Sequence, residues 1–346
     1  MELSKHNHYV PQMLLSNWAN NDQLYEYNLL VSNDRVPIWT KKNIKNIASI
    51  NYLYINIQNN EELDNIEKDF NVRFETPAKE HINKILAGER LDSDGWRVMA
   101  DFAAAQYVRT PAFFFWIQNL TKNLLPDEID KITNNFNNLN LDDLKNIKRE
   151  DLRVSNANML PITVRNTGIK ADETHTYVEI GFMAGKSVWL FSILQSLEDG
   201  SSLRNALESM HWSTVYAPDN IEWPTCDNPF VILNYISDEE CYLSDGVSAD
   251  NIIVFLPISS KIVILGSTKR RFGRRFKATD EFATVIKKAI VANAFRFIYS
   301  DFEDQEIVNM RERIVNLAEY KRLENQFENW YSNYKEMEVP ILNKKY

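Results

Sequence analysis

Residues able to move a proton or hold an anion recur at five places in this chain, mostly beside a proline or on an apolar helix. The first is HYVPQ, His8 to Gln12, close to the start. Val10 precedes Pro11 and is pushed into an extended conformation, so His8 stands in a strand-like lead-in to a helix that Pro11 starts well. The free N–H groups and macrodipole of such a helix end attract anions. A histidine there could serve as base, acid or ligand beside a phosphate or carboxylate. A surface or capping histidine is the plainer reading, and His6 shares the segment.

The second place is a stripe of Glu67, Asn71 and Glu75 at i, i+4, i+8, flanking an apolar seam of Phe70 and Phe74. Paired carboxylates at a buried seam can divide acid and base roles. They can equally be a solvated flank partnered by Lys68 and Lys79. The third is the i, i+3 pair Gln106 and Arg109 in AAAQYVRTP, on an otherwise apolar helix. A guanidinium there must find a carboxylate, carbonyl or phosphate, because an unpaired buried charge is costly. A salt bridge to Glu67 or Glu75 would satisfy it without any function. The fourth is CDNPF, where Asp227 and Asn228 precede Pro229; this is turn chemistry that could also project into a cleft. The fifth is TKRRFGRRFKA, with Lys269, Arg270, Arg271, Arg274, Arg275 and Lys277 around Gly273. Its interleaved Phe272 and Phe276 could stack on bases, although a solvated basic loop facing acidic helices is the ordinary alternative.

The elements that must carry these residues follow from periodicity. Pro11 opens a short helix to about Ala19, and QLYEYNLL and NYLYIN read as strands. Apolar residues three or four apart predict a helix over 61–86, kinked at Pro77. A second predicted helix runs over 93–117 and is bent or broken at Pro111. The polar stretch 125–152 reads as exposed helices or a lid. In the second half, HTYVEIGFMA, WSTVYA, FVILNYI, NIIVFLPIS and KIVILGS read as strands. KSVWLFSILQSLEDG reads as a buried helix closed at Gly200, and a charged helix is predicted from about Asp304 to Tyr334. The pattern predicts an α+β body, with long helices packed around a central, mostly antiparallel sheet. One compact unit is expected, or two tightly fused lobes, 1–155 mainly helical with a small N-terminal sheet and 156–346 a mixed sheet with C-terminal helices, since no flexible linker separates them.

Composition narrows the function. A formal charge of −9 and a pI near 5.3 disfavour indiscriminate coating of nucleic acid, so any such binding falls to the local basic loop. The nine glycines form neither GxGxxG nor GxxxxGK[ST], which leaves Rossmann and P-loop phosphate cradles unsupported. With two cysteines, no signal-peptide pattern and no apolar run of spanning length, the cytoplasm is the expected compartment.

HYVPQ, Glu67 and Glu75 of the 61–86 helix, QYVRTP, CDNPF and LPIS from Leu256 to Ser259 stand in an order that resembles the bacterial domain of unknown function 4238 family. Members open on a His-His-Tyr-Val-Pro-Gln-like motif. Here Asn7 splits the histidines, and Cys226 stands where serine is usual. The resemblance implies that the dispersed polar stations form one site. It also suggests an anti-phage or toxin-like effector. The expected chemistry is hydrolysis of a phosphodiester in a nucleic acid or nucleotide. His8, Glu67, Glu75, Arg109 and Asp227 would be catalytic, and Gln12, Gln106, Asn228 and the loop arginines would bind substrate. The cofactor is left open: a divalent cation could be held by Glu67, Glu75 or Asp227, though no ligand spacing demands one. The rival expectation is a non-catalytic binding or sensor module for a small anion or a protein partner, a second copy of the chain included.

Overall fold

A computed structural model describes residues 5–58, 60–123, 162–170, 176–182, 185–244, 246–247, 249–269 and 272–342, with backbone alone for 162–170, 176–182 and 342. The chain is α+β with mostly antiparallel sheets. One central sheet is predicted from the alternation, whereas the described residues build two main ones. The larger has six strands in the order Cys241–Leu243, Val231–Tyr235, Ile252–Ser259, Ile262–Ser267, His211–Tyr216 and Arg275–Lys277, antiparallel except for the last pair. The smaller has four antiparallel strands, Thr225–Cys226, Phe297–Ser300, Gln23–Asn28 and Trp39–Asn43.

Side-chain alternation explains why the larger sheet is apolar on both faces. Ile252, Val254, Leu256 and Ile258 enter one core, while Ile253 and Phe255 of the same strand enter another. The first core holds the N-terminal segment and the helical hairpin of Thr76–Leu86 and Ser93–Val108, and it takes residues from Tyr9 to Val339, so both halves of the chain share it. The second is closed by the helix Asp280–Asn293.

Three helices depart from their predicted bounds. Pro11 starts only one turn, Gln12–Leu15. Glu61–Leu63 is a strand paired with Asn56–Gln58, and the helix begins at Asn65. It passes through a π-helical turn, Phe70–Glu75, before continuing as Thr76–Leu86. There Thr76 N–H reaches Asn71 O, and Pro77 has no N–H to offer the preceding turn. The charged C-terminal helix is divided into Gln305–Met310, Leu317–Glu328 and shorter turns, with the strand Ile314–Val315 between them. The helix that opens at Ser93 ends at Val108 and resumes over 111–123 after Pro111. The predicted polar lid lies outside the described residues.

Candidate functional site

His6–His8 is a short strand antiparallel to Ser49–Asn51. Its pleat sends His6 and His8 to the same side, with ring centroids 5.1 Å apart and edge to face. Asn7 is turned inward and is 1% exposed. There its side chain hydrogen-bonds Glu67. The residue that interrupts the histidine pair therefore has a task of its own. The helix after Pro11 lacks a side-chain cap and is a single turn, too short for the macrodipole expected to draw an anion.

Arg109 closes the end of the helix Ser93–Val108 as its C-cap. It is 1% exposed, and both terminal nitrogens are occupied. Nη1 lies 2.6 Å from Glu75 Oε1, and Nη2 donates to the carbonyl of His8 at 2.6 Å. The guanidinium also lies 4.4 Å from the centre of the Phe70 ring, a cation–π arrangement. Tyr54 fixes the same corner, its hydroxyl donating to the Arg109 carbonyl at 2.8 Å. Burial pushes the Tyr54 phenol well above its ordinary pKa, so it acts as a neutral donor. The bridge to Glu75 is the partner the sequence demanded for a buried guanidinium, and it ties three distant segments together.

A cleft of about 390 Å³ opens over this corner, lined among others by His6, His8, Gln12, Glu67, Glu75 and Lys79. Two of its side chains carry buried atoms with no hydrogen-bond partner among the described residues, Glu67 Oε2 and His8 Nε2. Burial raises the Glu67 carboxyl to about 7; Arg109 and the Asn7 hydrogen bond pull it down, while Glu75 pushes it up. Burial lowers the His8 pKa, with His6 and Arg109 adding to the effect and the backbone of Ile44 and Lys45 opposing it. Near neutral pH the cleft thus holds a carboxyl about half protonated and a neutral imidazole. Lys79 stands exposed at its mouth with no ion-pair partner among the described residues.

The other predicted stations lie elsewhere. Asp227 is 1% exposed, and its carboxylate accepts the N–H groups of Phe295, Arg296 and Phe297 at 2.7, 2.7 and 3.0 Å. Burial raises its pKa to about 6 against these donors. It anchors the segment leading into Phe297–Ser300. Asn228 exchanges hydrogen bonds with Asn293 and accepts one from Thr110 at 3.2 Å, beside a separate cavity of about 90 Å³. Gln106 is fully buried, does not line the cleft, and its amide has no partner among the described residues. Glu67, Glu75 and Asp227 therefore do not gather round a cation. Among the described residues, no group of three His, Cys, Asp or Glu side chains is arranged to hold one.

The basic loop is also remote from the cleft. Arg270 and Arg271 lie outside the described residues. Arg275 donates to the Tyr216 hydroxyl at 2.7 Å, and Lys269 and Lys277 pair with Asp250 and Asp219 at 2.6 and 2.8 Å. Phe272 and Phe276 stack on each other at 5.6 Å and both face Phe282, so both rings are committed to internal packing. Arg274 lines a different groove, at the far end of the helical hairpin. Sequence reasoning missed Asn7 and Tyr54 as supports of the site. It took Lys79 only for a partner of the carboxylates.

The N-terminal histidine strand, the glutamate helix and the Arg109 clamp all fall within residues 6–304, which match the family model described as Protein of unknown function (DUF4238). The chain belongs to this family. No curated protein and no solved structure matches the chain. In this DUF4238 chain the segments after Asp304 lie outside the matched span, yet they reach the same core through Trp330, which donates to the Leu53 carbonyl at 3.4 Å. No helix of the described residues is long and apolar enough to cross a membrane.

Proposed function

We propose that the cleft is an acid–base site at which the protein hydrolyses a phosphodiester of a nucleic acid or nucleotide. The observation that carries this reading is the pair of unpartnered buried atoms, His8 Nε2 and Glu67 Oε2, on two residues that line one cleft, with the Glu67 pKa raised to about 7 and the His8 pKa lowered. Neutral His8 takes a proton from water as the water oxygen attacks phosphorus. The bond from phosphorus to the leaving oxygen breaks, and protonated Glu67 gives that oxygen its proton. Solvent then returns His8 and Glu67 to their starting states. Lys79 meets the phosphoryl charge at the mouth. Arg109 is a positioning residue, since a phosphate could reach it only by displacing Glu75.

The saturated Arg109 favours a second reading, a binding or sensor module for a small anion, because the cleft then offers recognition with little electrostatic help to a transition state. The two separate in a turnover assay over single-stranded RNA, DNA and linear and cyclic nucleotides. The hydrolase reading predicts cleavage that Glu67→Gln and His8→Ala each reduce by roughly 10²–10⁴-fold with binding retained. Binding without cleavage of any substrate in the wild-type protein supports the sensor.

A further inference from the structure

At the opposite end of the helical hairpin from Arg109, a groove of about 730 Å³ runs between the start of the Ser93–Val108 helix and the basic loop. We propose that this groove binds the bases of a single-stranded nucleic acid and is the strand-holding part of the hydrolase proposed above, on which reading it rests. Trp96 and Trp212 are nearly parallel, with centroids 6.2 Å apart and planes at 14°. Trp212 is 8% exposed, and its indole N–H is fixed to the Leu207 carbonyl at 2.8 Å. It is thus a rigid backing for the half-buried Trp96, which borders the groove. Exposed His211 adds ring surface along the same groove, and Phe272, itself packed on Phe276 and Phe282, borders it.

The charge along the groove is mixed, since Asp92 and Glu208 line it too; Asp92 accepts the Gly95 N–H at 2.8 Å as a helix cap, and Glu208 lies 4.0 Å from Arg204. Arg97 and Arg274 stand exposed on the groove's two sides, Arg97 paired with Asp94 at 3.4 Å, so the cation left to meet a phosphate is Arg274. Arg274 has no side-chain partner among the described residues, unlike Lys269, Arg275 and Lys277 of the same loop. Aromatic faces flanked by guanidinium groups bind strands whose bases are free to stack, with little sequence preference. A duplex keeps those faces covered. From Trp96 to Arg109 the helix rises about 20 Å, so a strand seated in both places covers about six nucleotides at 3.4 Å each.

Fluorescence anisotropy of the full chain with a labelled single-stranded RNA of about twelve nucleotides, and with its duplex, tests the groove. The expected result is tighter binding of the single strand, weakened roughly tenfold by Arg274→Glu, a surface change, and similarly by Trp96→Ala. Binding by Arg274→Glu within about twofold of wild type, no binding of the single strand, or equal affinity for the duplex would overturn the proposal. Binding that depends on Arg274 while no substrate is cleaved keeps the groove and removes the hydrolase. Cleavage of a nucleotide without Arg274-dependent strand binding keeps the hydrolase and removes the groove.

Discussion

A carboxyl whose pKa rises from 4.5 to about 7 on folding holds its proton more tightly in the native chain than in the unfolded one. Glu67 therefore contributes stability that is complete below about pH 4.5 and is lost as pH rises through about 7, up to about 3 kcal/mol. Glutamine mimics the protonated form. Glu67→Gln should match the wild type near pH 4.5 and exceed it above pH 7, with a melting temperature higher by roughly 5 °C. Equal midpoints at pH 8 would mean that the carboxyl ionises freely. His8 works the other way, since its lowered pKa costs stability as pH falls through about 6.5. Arg109→Ala leaves Glu75 unpaired and frees the His8 carbonyl; urea unfolding should show a loss of about 3–5 kcal/mol. The sequence announced Arg109 because a guanidinium among alanines and phenylalanines needs a partner. It could not announce Asn7, whose inward direction depends on the register of a three-residue strand.

The π-helical turn Phe70–Glu75 sets the angle between Glu67 and Glu75 along one helix. A simple i, i+8 stripe puts both carboxylates on one face by regular periodicity, but the observed helix contains a wider turn, and only Glu75 meets Arg109. Periodicity locates a helix and is blind to one extra residue in a turn. Val72 sits in that turn and is 70% exposed, so deleting it removes little packing. The deletion should restore regular α-helix and rotate Glu75 by about 100° relative to Glu67. Stability should then fall about as far as in Glu75→Ala, measured by denaturant unfolding, with helical content unchanged. A deletion variant as stable as wild type would show that the turn does not position Glu75. Asp227 teaches the complementary lesson. Its motif reads correctly as turn chemistry, and three backbone N–H groups absorb the carboxylate that the sequence also offers to the cleft.

Across the whole molecule, the α+β class and the main strands from Trp212 to Leu265 were legible because alternation and burial agree along them. The division into two sheets was not, since which strands pair depends on contacts far apart in the chain. The C-terminal segment shows the same non-local dependence. The Glu338 carboxylate accepts the Lys186 N–H at 2.9 Å, the Ser187 N–H at 2.8 Å and the Ser187 hydroxyl, capping the helix Lys186–Leu197 from 151 positions away. Glu338→Ala should cost about 2 kcal/mol in denaturant unfolding, whereas no change would mean the helix caps itself. The function proposed for the cleft beside Arg109 depends on a carboxyl that keeps its proton near neutrality. Titration of the Glu67 side chain by carbon-13 NMR, assigned against Glu67→Gln, reads it without needing a substrate. The expected midpoint is close to 7. A midpoint near the ordinary 4.5 would contradict it.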